Sequence, residues 1–234
     1  MKYTTLLMDA DDTIFDFPKC EYNALKNAFE KNGFEFTQTL YEKFSEINDG
    51  LWKKFEKGEI KRSDLRIERF RLTCEYFDMC SDNAKITELA DTYVTELSKQ
   101  AILIDGAYNA LEKISGICDI YIITNGLSVV QRGRFGESSV TKFLKDIFIS
   151  DETGVQKPQK GFFDIVFDKI PEKDKSKILV VGDSLTSDMQ GGRNSGLDTC
   201  VYDPKNKISM PNDLCDYKIT NLEDVCNIIK GNEP

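Results

Sequence analysis

Histidine is absent from all 234 residues. That absence removes the Ser-His-Asp triad, the Cys-His pair and the His-ligated zinc hydrolase together, so any chemistry must run on carboxylates, Lys, Ser/Thr, Cys or Tyr. The seven cysteines (Cys20, Cys74, Cys80, Cys118, Cys200, Cys215 and Cys226) are scattered, odd in number and form no Cys-x-x-Cys pair. This excludes the pattern of a disulfide framework or a zinc site and leaves reduced, partly buried small hydrophobes. No apolar stretch approaches the ~20 residues needed to cross a bilayer. Met1 to Thr5 runs at once into a short apolar segment and then acidic residues, without the long apolar region and small-residue cleavage site of a signal peptide. A cytoplasmic protein without a membrane partner is expected. A basic surplus is also missing. The net charge of −9 argues against binding nucleic-acid polymers, which needs a positive surface.

What is present is ordinary for a globular chain: 40% hydrophobic and 30% charged residues, with length enough for one sizeable core or a core carrying an inserted subdomain. There is no internal repeat and no low-complexity tract. Thr4 to Met8 is a short apolar run ending in Asp9 and reads as a buried strand. From about Phe17 to Ser98 the pattern is helical. Tyr41, Phe44, Asn48, Leu51, Trp52 and Phe55 recur at three- and four-residue spacing, as do Ile86, Leu89, Tyr93 and Leu97. Ser63 and Ser81 are the candidate helix N-caps. After about Gln100, strands and helices alternate. The strand candidates are Asp119 to Thr124, Ile147 to Ser150, Lys177 to Asp183, Thr199 to Tyr202 and Tyr217 to Thr220. Such alternation predicts a parallel sheet covered by helices on both faces, with the helical block inserted after strand one. The chain must cross between the two parts near Phe15–Phe17 and near Gln100–Asp105, a pair of crossings suited to a hinge.

Four short segments carry chemistry. In Asp9-Ala10-Asp11-Asp12-Thr13, residues two apart on an extended backbone face the same side, so Asp9 and Asp11 project together at a strand's carboxyl end. Open parallel sheets bind ligands at that edge. Two carboxylates there can divide nucleophilic and acid–base work and attract a hard divalent cation. The same residues would also suit a helix N-cap with an acidic first turn. Thr124-Asn125-Gly126 offers a hydroxyl and an exposed amide to a phosphoryl oxygen, although it is common turn chemistry too. Lys157-Pro158 supplies a compact positive charge on backbone that proline biases toward extended. Gly182-Asp183, with Asp188 five residues on, adds carboxylates at the same edge.

In this order, the four segments resemble the haloacid dehalogenase superfamily of phosphohydrolases over essentially the whole chain. The resemblance implies an α/β fold, a Rossmann-like parallel-sheet core at residues 1–16 and 99–234, and an all-α cap domain at 17–98 that closes over the site. It also implies the residue roles. Asp9 is the nucleophile and forms an aspartyl-phosphate. Asp11 is the acid and then the base. Thr124 and Asn125 bind the phosphoryl group, and Lys157 stabilises Asp9 and the phosphoryl charge. Mg2+ is held by Asp9, Asp183 and the backbone carbonyl of Asp11, with Asp188 in support. Asp11 favours phosphate esters over halides, because a halide leaves without a proton.

Finer resemblance, in Met8 to Phe17, Asn48-Asp49-Gly50-Leu51-Trp52, Phe55 to Gly58 and Ile123 to Gly126, is to bacterial house-cleaning 5'-nucleotidases active on pyrimidine nucleoside monophosphates such as dUMP, UMP and dTMP. Ser138-Ser139-Val140 and Asp105-Gly106-Ala107 depart from the usual Ser-Gly-Leu and Pro-Gly-Ala, outside the catalytic set. Phe15, Phe17 and Trp52 are the candidates for selecting substrate. Trp52 also falls on the apolar stripe of its own helix, and that spacing favours packing. The expected partner is a small-molecule phosphate monoester, bound by a monomer or weak homodimer. Alternatives on the same residues are a sugar-phosphate or phosphoglycolate phosphatase and a β-phosphoglucomutase-type phosphotransferase. A phospho-accepting signalling domain of the response-regulator type is disfavoured by the long helical insert and the second Gly-Asp site.

Overall fold

The strands come first, because they place everything else. In the computed structural model, which describes residues 1–232, they are β1 (Thr5–Met8), β2 (Asp119–Thr124), β3 (Asp146–Ile149), β4 (Ile178–Gly182), β5 (Asp198–Tyr202) and β6 (Tyr217–Ile219). β1 (Thr-Leu-Leu-Met) and β4 (Ile-Leu-Val-Val-Gly) are buried along their whole length, as suits largely apolar strands without polar alternation in a sheet covered on both faces. The sheet order is β3-β2-β1-β4-β5-β6, parallel throughout. The chain leaves β1 to build outward on one side through β2 and β3, then returns to β4 on the other. The order therefore reverses beside β1, and the crevice at the carboxyl ends of β1 and β4 is the topological switch point where such sheets bind ligands.

The chain divides into two units, Met1–Phe17 with Ala101–Pro234, and Pro18–Gln100. In the first, one face of the sheet is covered by Ala107, Ala110, Leu111 and Ile114 of one helix (Ala107–Ser115) with Val225, Ile228 and Ile229 near the C-terminus. The other face is covered by Phe162, Phe163 and Val166. The segment after β1 folds back on itself, Ile14 N–H and Phe15 N–H both donating to Ala10 O, and Phe15 then pairs antiparallel with Leu103.

The second unit holds α1 (Phe17–Lys31), α2 (Gln38–Glu56), α3 (Arg62–Tyr76) and α4 (Asn83–Leu97); α5 (Ala107–Ser115) opens the return to the sheet. α2 buries Leu40, Phe44, Asn48, Leu51 and Phe55, one stripe at spacings of three and four. Phe44, Phe70 and Tyr93 from three helices pack with ring centroids 5.0–5.8 Å apart. Buried polar groups thread this core: Asn48 Nδ2 donates to Glu21 Oε1 (2.9 Å) and Arg69 Nη1 to Asn48 Oδ1 (3.1 Å). The capping differs from expectation. Asp82, not Ser81, caps α4, its carboxylate accepting from Ala84 N–H, and Ser63 lies inside the first turn of α3 behind Lys61. The backbone decides this, since the cap is whichever residue stays extended just before the helical turn. No described helix is long and apolar enough to cross a membrane.

Past β2, the remaining helices are α6 (Ser128–Glu137), α7 (Ser150–Thr153), α8 (Lys160–Lys169), α9 (Gln190–Ser195) and α10 (Val225–Lys230). A π-helical turn at Leu185–Met189 separates β4 from α9.

Candidate active site

Asp9 follows β1 directly, and its N–H still donates to Val181 O, so the strand ladder itself aims the carboxylate at the switch point. Its side chain is almost fully buried. Lys157 reaches it from 148 residues away in sequence. The Lys157 ammonium is fully buried and uses all three of its donors: on Asp9 Oδ1, on Asp188 Oδ1 at 2.7 Å, and on Ile123 O at 2.7 Å.

Asp188 is brought back to the end of β4 by the π-helical turn. Ser184 Oγ caps that turn by accepting from Ser187 N–H, and Ser184 N–H donates to Asp188 Oδ2. Single π turns of this kind recur at functional sites. The glycine before Asp183 is required by this arrangement. A Cβ on Gly182 would lie 2.4 Å from Asp188 Oδ2, so only glycine lets the carboxylate fold over the strand end.

The result is a crowd of negative charge. Asp9, Asp183 and Asp188 each offer a carboxylate oxygen, all within 4.8 Å of one another. Burial pushes Asp9 up to about 8; Lys157 opposes the push, and Asp188 and Asp11 add to it. Burial, with Asp9 and Asp188 beside it, likewise holds Asp183 well above the usual carboxylate range. Burial works against the Lys157 charge, but Asp188 and Asp9 outweigh it and keep the ammonium protonated. One lysine cannot neutralise this cluster. Hard oxygen donors held this closely fit a small divalent cation such as Mg2+. Asp12, in the left-handed region at φ 58°, is raised to about 6 by burial and by its acidic neighbours Asp11 and Asp16.

Thr124 ends β2 and is buried, and its Oγ1 accepts from Gly126 N–H at 3.1 Å. It shapes the turn as well as standing at the site's edge. The Asn125 side chain holds Lys157. Its Nδ2 donates to Lys157 O (2.9 Å) and its Oδ1 accepts from Lys157 N–H (3.0 Å), a two-point clasp on the lysine's backbone.

The three aromatic candidates stand in different local surroundings. Phe15 is fully buried among sheet-core residues, 4.9 Å from Phe135, and has no surface to offer a ligand. Trp52 is half-buried in the helical unit, edge-on to Phe55 at 5.4 Å and packed on Leu51 and Leu65. Phe17, half-buried, begins α1.

Two residues that sequence reasoning passed over stand at the site. Gln131 Nε2 donates to Asp11 Oδ2 at 2.8 Å, and Arg134 Nη1 is ion-paired with Asp11 Oδ1. Both are buried and lie on α6, just after the Thr124 turn. The available signal was their register. Val130, Gln131, Arg134 and Phe135 form the buried face of α6, and two polar residues on an inward face demand a polar partner.

The family profile of haloacid dehalogenase-like hydrolases matches residues 6–202. The HAD-hydrolase YfnB of Bacillus subtilis is 37% identical over 228 residues, covering 97% of this chain and 96% of that protein. Its crystal structure bound to magnesium superposes with a TM-score of 0.91, covering 98% of this chain and 99% of that one at 38% identity. Pyrimidine 5'-nucleotidase PynA of Streptococcus pneumoniae is 31% identical over 99% of this chain and 97% of its own length. Pyrimidine 5'-nucleotidase YjjG of Escherichia coli is 31% identical over 86% of each chain.

Proposed function

The chain belongs to the haloacid dehalogenase-like hydrolase family, and from that premise we propose that it is a magnesium-dependent phosphomonoesterase that hydrolyses nucleoside monophosphates, pyrimidine ones such as dUMP, UMP and dTMP foremost, through an aspartyl-phosphate on Asp9. The observation that carries the chemistry is the buried Lys157 ammonium on Asp9 Oδ1 at the switch point. The substrate class rests on the similarity to PynA and YjjG together with Asp11.

Lys157 holds Asp9 by one oxygen and orients the other toward the phosphorus. Attack forms the Asp9 O–P bond and breaks the bond to the leaving oxygen, which takes its proton from Asp11. Asp11, now a carboxylate, accepts a proton from water as the water oxygen attacks phosphorus, and the Asp9 O–P bond breaks to release phosphate. Thr124 and the amides of its turn hold the phosphoryl oxygens. Asp9, Asp183 and the Asp11 carbonyl, with Asp188 in support, are the residues that would hold Mg2+, whose charge screens the repulsion between carboxylate and phosphate.

The test is phosphate release from nucleoside monophosphates, sugar phosphates and phosphoglycolate, with magnesium and with EDTA. Expected are turnover led by the pyrimidine nucleotides, loss of activity in EDTA, and a drop of at least about a thousandfold in Asp9→Asn. Activity centred on a sugar phosphate would keep the mechanism and overturn the substrate. No turnover of any monoester would overturn the hydrolytic reading.

A further inference from the structure

The Asp11 carboxylate is held by α6. Gln131 and Arg134, three residues apart on that helix, each donate to a different oxygen of its carboxylate, Gln131 Nε2 to Oδ2 and Arg134 Nη1 to Oδ1. A carboxylate gripped at one oxygen can still swing. Gripped at both, it is fixed in position and in the rotation of its plane. Each oxygen keeps a second lone pair, so the grip leaves room for the proton that an acid–base residue must carry.

The surroundings make this grip stiff. The Arg134 guanidinium, wholly buried, lies 4.2 Å from the centroid of the Phe15 ring, which in turn packs on Phe135. Phe15 belongs to the same fold-back after β1 that carries Asp11, so the arginine is wedged between the loop it holds and the helix it comes from. Gln131, 1% exposed, crosses the turn that carries Thr124. A Cβ on Gly126 would lie 2.4 Å from Gln131 Nε2, so the glycine opens the passage through which the amide reaches Asp11. Burying an arginine beside a carboxylate is a poor way to gain stability, because apolar residues of similar volume serve as well or better. It is an effective way to hold a reacting group within a fraction of an ångström.

We propose that Gln131 and Arg134 are positioning residues that set the Asp11 carboxylate for proton transfer to the leaving group and from the attacking water, with Gly126 as the opening that admits Gln131. This rests on the acid–base role given to Asp11 above and deepens it. It does not depend on which phosphate ester is the natural substrate.

The experiment compares two aryl monoesters on the full-length protein with magnesium. Phenyl phosphate needs its leaving oxygen protonated, whereas p-nitrophenyl phosphate expels a stable anion unaided. In Gln131→Leu and Arg134→Met, kcat for phenyl phosphate is expected to fall about a hundredfold with KM changed less than about threefold. With p-nitrophenyl phosphate the same variants give a stoichiometric burst of p-nitrophenol and then slow turnover, because the aspartyl-phosphate forms but waits for its base. The phosphorylated protein then accumulates and is visible by intact mass. Arg134→Lys recovers part of the loss. Partial unfolding cannot imitate this, since inactive molecules scale down burst and steady state alike. Equal losses on both esters, with no burst and no phosphorylated species, would overturn the positioning role. Asp11→Asn separates the two levels. If it shows the split and the α6 variants do not, the clamp alone fails; if it shows no split, the acid–base reading of Asp11 fails and takes the clamp with it.

Discussion

Lys157 spends all three ammonium protons on acceptors within the protein, and its backbone is fastened on both sides by the Asn125 amide. A buried ammonium is tolerated only with such complete pairing. Its direction is therefore set at both ends of the residue: at the main chain by Asn125, at the tip by Asp9 and Asp188. Asn125→Ala is expected to destabilise the protein by about 1–3 kcal/mol, because it leaves buried main-chain groups of Lys157 without partners. It should also lower kcat more than it raises KM, since the side chain holds the lysine rather than the substrate. Urea unfolding and steady-state kinetics on one preparation check both parts. A large rise in KM with kcat unchanged would instead place the Asn125 amide on the phosphate.

Among the elements, α1 and α4 are joined by one carboxylate. Glu96, whose side chain is 7% exposed, accepts from Lys31 (2.8 Å) and Lys99 (2.7 Å), and these bonds hold it down to about 2. The unfolded chain, with an ordinary glutamate near 4.3, binds more protons than the folded one between those values. Stability from this group is therefore complete above about pH 5 and is lost as pH falls toward 2. Both lysines are more than half exposed, so the contribution is screened and of order 0.5–1 kcal/mol. Glu96→Gln is expected to lower the urea midpoint at pH 7 by that amount. The gap to wild type should narrow at pH 3.5 and shrink in high salt. A gap that stays constant with pH would mean the residue acts by packing alone.

For the molecule as a whole, the sheet order gathers Asp9 and Asp11 after β1 with Asp183 and Asp188 after β4, in a chain that already carries −9. Without a cation this concentration opposes folding, and burial beside Asp9 and Asp188 is what raises Asp183. Asp183→Asn removes one of the mutually repelling groups. In EDTA the variant is expected to unfold at the same temperature as wild type or higher. Magnesium at a hundredfold excess over its dissociation constant should stabilise wild type by about 2.7 kcal/mol and the variant by much less. Thermal unfolding with and without the metal gives all four values. A wild-type midpoint indifferent to magnesium would speak against the site.

The sequence by itself determined what depends on near neighbours along the chain. Short apolar runs alternating with helical segments announced a covered parallel sheet. The two-residue period of extended backbone put Asp9 and Asp11 on one edge, and Gly182-Asp183 marked a second strand end. The spacing of Trp52 already favoured packing, which is where its ring lies. The tertiary structure alone decided what depends on which strand lies beside which. It brought Gln131 and Arg134 to a carboxylate 120 and 123 residues away, clasped the backbone of Lys157 with the Asn125 amide, and closed Phe15 into the core. Whether a polar side chain meets a ligand or a neighbour is settled by distances across the sheet, and no local periodicity encodes those distances.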